Sequence, residues 1–151
     1  MRAIILAAGK GERLYPLTRN TPKSLLEIGN GITLLENQIM ALSKNGVKDI
    51  ILVVGYKAEQ IEAKIRDVGD FNCNIETIYN PFYEISNNLI SLWLATPKMD
   101  DDFLIINGDN VFVPEVIQKL LNVDNKKEIC FLIDRKELYN EEDMKIIIMG
   151  N

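Results

Sequence analysis

Arg2-Ala3-Ile4-Ile5-Leu6-Ala7-Ala8-Gly9-Lys10-Gly11-Glu12-Arg13-Leu14 opens the chain as an apolar run that breaks into glycines and charges. An unbroken apolar run of this length reads as a strand over Arg2–Ala8 buried on both faces, which is the mark of a parallel sheet. In such a sheet a ligand sits beyond the carboxyl ends of the strands. The long loop Gly9–Pro22 leaves this first strand at that end, so it is where a ligand is expected.

The rest of the chain alternates between two periods. Thr33-Leu34-Leu35-Glu36 fits a capping box, with Thr33 as N-cap and Glu36 at the third helical position. Leu35, Ile39 and Leu42 follow at helical spacing, and Asn45-Gly46 ends that helix. Asp49–Val54 reads as a second buried strand, Ala58–Val68 as a helix with Ile61 and Ile65 on one face, and Asn74–Tyr79 as a third strand. Asn88–Ala95 reads as a short helix stopped before Pro97, with Leu89, Leu92 and Trp93 on a core-facing side. Phe103–Ile106 is a fourth buried strand ending in Asn107-Gly108-Asp109. Pro114–Leu121 starts a helix with proline, and Ile129–Ile133 and Lys145–Met149 read as two more strands. Strands separated by helical patterns predict a Rossmann-like, three-layer αβα domain with a mostly parallel sheet. The last strand runs into Gly150-Asn151, where a hairpin partner is expected. It reads either as an edge strand or as the end of a fragment, and the favoured reading of residues 1–151 is a domain truncated at its C-terminal side.

Composition narrows the chemistry. Hydrophobic residues make up 47% and charged residues 26%, a globular balance that argues against disorder. The chain has no histidine, which removes His-based triads and any imidazole base. Cys73 and Cys130 lack a second cysteine at metal-ligand spacing and read as reduced core residues of a cytoplasmic protein. No stretch approaches the ~20 apolar residues of a membrane helix, so no membrane partner is expected. The net charge is −5, which disfavours nucleic acid. Yet residues 1–23 carry Arg2, Lys10, Arg13, Arg19 and Lys23 against Glu12 alone, a basic patch suited to a compact anionic ligand.

In the first loop, Gly9 and Gly11 let main-chain N–H groups approach a ligand, and such groups bind phosphate oxygens. Ala7 and Ala8 are small enough for a flat base to lie on the backbone. Arg13 can fork onto a phosphate and Lys23 can supply a point charge. The P-loop pattern is excluded because Glu12 follows Gly11. The dinucleotide fingerprint is excluded because position 14 is Leu14 rather than glycine, and Val54-Gly55 stands where an acidic residue would close the second strand.

The string Leu6-Ala7-Ala8-Gly9-x-Gly11-x-Arg13-Leu14-x-Pro16-Leu17-Thr18, followed by Pro22-Lys23, resembles the signature of nucleotidyltransferases that make nucleoside-diphosphate sugars and of their phosphocholine cytidylyltransferase relatives. Gly55-Tyr56 and Asp109 continue the match, which covers roughly residues 1–115. The resemblance implies an enzyme that joins a nucleoside triphosphate to a phosphorylated small acceptor and releases pyrophosphate. It implies that Leu6, Ala7, Ala8 and Gly9 hold base and ribose, that Gly11, Arg13 and Lys23 meet the phosphates, and that Asp109 ligates Mg2+. As a strand-ending aspartate, Asp109 has an alternative role in capping the next turn. The Asn87-Asn88-x-x-Ser91-Leu92 string is similar to the phosphocholine cytidylyltransferase branch and points to CTP. Asn87 or Asn88 offers an amide to a pyrimidine edge, while Asn88 is equally placed to cap its helix.

Three lesser features have competing readings. Tyr79, Phe82, Tyr83 and Trp93 suit either an aromatic cage for a quaternary ammonium or the core. Asp100-Asp101-Asp102 reads as a solvated loop. The family's acceptor-binding half, with its second metal carboxylate, is expected beyond position 151, and neither Asp134 nor Asp143 is assumed to replace it. The rival to an enzyme is a nucleoside-triphosphate-binding or regulatory domain without turnover. The oligomeric state leaves no mark in the sequence.

Overall fold

The alternating periods resolve, in a computed structural model of the chain that describes residues 1–68, 71–123 and 129–133, into a doubly covered parallel sheet. In chain order the elements are β1 (Arg2–Ala7), a small hairpin of β2 (Glu27–Gly29) and β3 (Ile32–Thr33), α1 (Leu34–Lys44), β4 (Asp49–Val54), α2 (Ala58–Val68), β5 (Asn74–Tyr79), α3 (Asn88–Leu94), β6 (Phe103–Asn107) and α4 (Pro114–Leu121). The sheet order is β5-β4-β1-β6 and every pairing in it is parallel.

Side chains alternate across a strand, so each apolar run feeds two cores. Ala3 and Ile5 of β1 join Ile50, Leu52 and Val54 of β4 beneath Leu35, Ile39, Leu42, Ile61 and Ile117 of the helices. Ile4, Leu6 and Ala8 join Ile51 and Val53 on the opposite face, covered by Leu92 and Ala95 around α3. The capping box is present in full: the Thr33 hydroxyl accepts from the Glu36 amide, and the Glu36 carboxylate accepts from the Thr33 amide.

Four expectations are corrected. Residues 129–133 form no strand, because no described strand pairs with them to satisfy a ladder, and Cys130 is exposed rather than in the core. Phe103 and Ile105 are half-exposed, because β6 lies at the edge of the described sheet and one of its faces is poorly covered. Leu89 and Trp93 point outward, 68% and 65% exposed. The inward face of α3 is instead Ser91, Leu92 and the following Ala95, within one turn of each other. The hairpin of β2 and β3 was not anticipated, although Asn30 and Gly31 at its tip both adopt positive φ (53° and 73°), the Asn-Gly turn chemistry of a tight hairpin. Lys145–Met149, Asp134 and Asp143 lie outside the described residues.

Candidate functional site

The order of the sheet decides where a ligand fits. The chain builds outward from β1 through β4 to β5, then returns to the other side of β1 as β6. The loops leaving β1 and β6 therefore diverge and open a crevice at their carboxyl ends. Register pairs Leu6 with Asn107, and the Gly108 amide donates to the Leu6 carbonyl at 2.8 Å. A Cβ on Gly108 would lie 2.6 Å from that carbonyl oxygen, so glycine is required for the contact. Asn107 to Asn110 close a turn, with the Asn110 amide donating to the Asn107 carbonyl at 3.1 Å. Asp109 stands on it.

The first loop folds back toward this turn. Gly11 has φ 66°, and a Cβ there would press on Lys23 Cβ and Thr18 Cγ2 at 3.2 and 3.3 Å. Its carbonyl accepts from the buried Thr18 hydroxyl at 2.7 Å and from the Leu14 amide at 2.9 Å. Short 3₁₀ turns over Glu12–Leu14 and Lys23–Leu25 then present Arg13 and Lys23 to the crevice. Lys23 Nζ reaches Asp109 Oδ2 at 2.8 Å.

A cleft of about 210 Å³ results, and most of the predicted residues meet in it: Leu6, Ala7, Gly9, Gly11, Arg13, Lys23, Asn88 and Asp109 all line it. Two do not. Ala8 packs in the core beneath β1, and its carbonyl accepts from the Tyr56 amide. Asn87 caps α3 by accepting from the Leu89 amide at 3.0 Å, which places Asn88 inside the helix and frees its amide for the cleft, where it donates to Asn107 Oδ1 at 3.2 Å. The Asn-Asn-x-x-Ser string thus has three separate jobs. Ser91, the last of them, accepts from the buried Asn80 amide at 3.0 Å and ties α3 to the loop after β5. Sequence reasoning missed Ser24, which lines the cleft with its hydroxyl buried and without a partner among the described residues. It is flagged in sequence only by its place after Lys23.

The basic patch disperses in space. Arg2 lies at the amino end of β1, away from the cleft, and pairs with Asp100 at 2.6 Å, which holds that carboxyl below its ordinary range. Asp101 pairs with the amino terminus at 3.4 Å, so the acidic run is a charged loop answering that end of β1. Lys10 bonds Glu84 at 3.0 Å, which raises its pKa. Of the five early cations, Arg13 and Lys23 line the cleft. The four aromatics also separate: Phe82 and Trp93 line an open apolar depression, while Tyr83 packs on the sheet and lies 6.3 Å from the Tyr56 ring.

No group of three acidic, Cys or His residues capable of holding a metal occurs among the described residues. Among the described residues, Asp109 is the one acidic residue lining the cleft. This donor set fits magnesium arriving with a polyphosphate, since that ion takes one or two carboxylates and relies on phosphate oxygens and water. No helix among the described residues is long and apolar enough to cross a membrane.

Comparison with known proteins agrees with the geometry. The nucleotidyl transferase family model matches residues 2–142. A choline-phosphate cytidylyltransferase of Streptococcus pneumoniae is 35% identical over 141 residues, covering 93% of this chain and 57% of that protein. A UTP–glucose-1-phosphate uridylyltransferase of Haloferax volcanii is 31% identical over 89% of this chain and 54% of its own. Among solved structures, the CTP:phosphocholine cytidylyltransferase of S. pneumoniae aligns with TM-score 0.64 at 38% identity, over 76% of this chain and 49% of that one. The inositol-1-phosphate CTP transferase of T. maritima aligns with TM-score 0.68 at 28% identity, over 82% and 49%. The chain belongs to the nucleotidyl transferase family, and it spans 57% or less of the length of these relatives.

Proposed function

We propose that this member of the nucleotidyl transferase family binds CTP in the cleft between β1 and β6 and transfers its cytidylyl group to a small phosphorylated acceptor of the phosphocholine or sugar 1-phosphate class. The observation that carries the reading is the meeting of Arg13, Lys23, Asn88 and Asp109 around the glycine loop. The choline-phosphate cytidylyltransferase and the inositol-1-phosphate CTP transferase support the cytidylyl choice over the uridylyltransferase, which is less identical than the first. Asn88 supports a pyrimidine, because an amide can donate to and accept from its edge.

In the proposed reaction an acceptor phosphate oxygen attacks the α-phosphorus. The bond from that phosphorus to the bridging oxygen of the β-phosphate breaks, and its electron pair leaves with pyrophosphate. The acceptor phosphate is already anionic at neutral pH, so no general base is needed and the absence of histidine is no handicap. The task is to align two repelling phosphates and to meet the developing charge. Leu6, Ala7 and Gly9 offer backbone and little side-chain bulk to base and ribose. Arg13 presents a planar fork to the triphosphate. Lys23 turns from Asp109 to the phosphates and stabilises the charge on the departing pyrophosphate. Magnesium, when bound with the triphosphate, would be held by Asp109 and would supply positive charge there.

A second reading, a nucleotide-binding domain without turnover, is favoured by one observation: among the described residues a single carboxylate lines the cleft. A pyrophosphate-release assay over four nucleoside triphosphates and a panel of phosphorylated acceptors separates the two. Release with CTP and one acceptor supports transfer. Nucleotide binding with no release under any pairing supports the second reading.

A further inference from the structure

Gln38 is fully buried in α1 between the core positions Leu35, Ile39 and Leu42. Its side-chain amide nitrogen donates to the Asn107 carbonyl at 3.0 Å and to the Asn110 carbonyl at 2.7 Å. Those two carbonyls are the first and last of the turn that carries Asp109. One amide group, using both of its hydrogens, therefore spans the turn from below. The opposite assignment of the amide would set its oxygen against two carbonyl oxygens, so the donors must face the turn.

The other half of the same amide is unmatched: Gln38 Oε1 is buried without a hydrogen-bond partner among the described residues. For packing alone, a methionine or leucine would fill this space and leave no acceptor stranded. What glutamine adds is the pair of donors to the turn. The helix that carries it is itself rigidly placed, capped by Thr33 and Glu36 and sealed into the larger core. Rigid support of this kind is what holds a functional side chain in a productive geometry. The start of the turn is tied to the sheet by the pairing of Asn107 with Leu6 and by the bond from the Gly108 amide to the Leu6 carbonyl. Gln38 adds a tie that reaches the far end of the turn at Asn110.

We infer that Gln38 is a positioning residue for Asp109, setting the carboxylate where it meets a metal–triphosphate complex. The inference rests on the nucleotide reading given above for its functional consequence, and on the two amide bonds for its structural one. Two variants test it, Gln38→Met, which keeps length and volume, and Gln38→Leu, in case one of them folds poorly. In ligand-free protein, backbone amide exchange at Asn110 should quicken at least tenfold while exchange at Gly108 stays within twofold. Calorimetry with CTP alone should stay within twofold of the parent protein. The extra affinity gained on adding Mn2+ should fall about tenfold. Unchanged exchange at Asn110 overturns the inference, as does a full Mn2+-dependent gain in both variants. Equal weakening of CTP with and without metal also overturns it, since that reports general damage. A parent protein that binds no CTP under either condition overturns the nucleotide reading and with it the assigned role. The exchange measurement then still reports whether Gln38 holds the turn.

Discussion

Lys23→Met should move two affinities in opposite directions. Lys23 Nζ and Asp109 Oδ2 lie 2.8 Å apart, with the two side chains 30% and 46% exposed. A pair this open contributes only about 0–1 kcal/mol. That is also the most it can cost a cation to displace Lys23 from Asp109. Removing the ammonium frees the carboxylate, so Mn2+ should bind nucleotide-free protein up to about fivefold more tightly, the equivalent of about 1 kcal/mol. A charged hydrogen bond from Lys23 to a phosphate is worth about 1.5–3 kcal/mol. Leaving Asp109 offsets up to about 1 kcal/mol of that, so CTP affinity should fall roughly 2- to 150-fold in the same variant. Electron paramagnetic resonance of free Mn2+ reads the first quantity and calorimetry the second. Turnover, measured as pyrophosphate release, should fall further than CTP affinity, because Lys23 is assigned to charge that grows as the bond breaks. Weaker Mn2+ binding would show that Lys23 supports the metal site rather than competing for it. Unchanged CTP affinity would refute the exchange of partners altogether.

Arg13→Ala should weaken CTP binding by about 1.5–3 kcal/mol by calorimetry, the range for a charged hydrogen-bonding partner. An unchanged dissociation constant would remove Arg13 from the site. Asp109→Asn keeps the shape and removes the charge, so it should abolish the Mn2+-dependent gain in CTP affinity while leaving the melting transition in place. Gly108→Ala puts a methyl 2.6 Å from the Leu6 carbonyl and should cost about 1–3 kcal/mol as overpacking, read from urea midpoints at constant slope. Acid stability should depend on Glu36. Burial pushes its carboxyl up, but bonds from the Thr33 hydroxyl and amide and from Lys64 outweigh that and leave it below its ordinary 4.5. A lowered folded pKa means stabilisation that is present above 4.5 and lost as pH falls through the folded value. Glu36→Gln should flatten the stability–pH curve below that point, and equal steepness in both proteins would count against it.

The fold was legible where one signal outweighed its rivals. Apolar runs bounded by glycine or polar residues placed β1, β4 and β5 to within a residue, and the Thr33–Glu36 box placed the start of α1. Errors came where burial depends on neighbours rather than on the segment itself. Phe103 and Ile105 belong to a strand as apolar as β4, but β4 has a strand on each side and β6 has β1 alone among the described strands. Ile129–Ile133 has strand composition and no partner among the described strands. In α3 the sequence offers two apolar stripes, one through Leu89 and Trp93 and another through Leu92 and Ala95. Which of them faces the sheet is tied to Ser91 meeting the buried Asn80, a bond to the loop after β5 that no periodicity reports.

The site was legible to the extent that it is local. Gly9, Gly11, Arg13 and Lys23 lie on one continuous stretch, and a glycine loop after a parallel strand already points at a ligand. Charge was read less well, because counting cations along residues 1–23 treats the two ends of β1 as one place. Arg2 and Lys10 are separated by the length of the strand and are answered by Asp100 and Glu84 respectively. The two early cations that line the cleft are Arg13 and Lys23, and Lys23 meets a carboxylate 86 positions away. That distance in sequence is short in space for one reason: β1 is central, so the loop that leaves it and the turn that leaves β6 share an edge. The close approach of Gly108 to Leu6 and the two bonds from Gln38 then decide where on that edge Asp109 stands. Residues that touch a ligand announce themselves by chemical type. Residues that aim them, such as Gln38 and Gly108, are ordinary core and turn residues until the fold brings their partners into view.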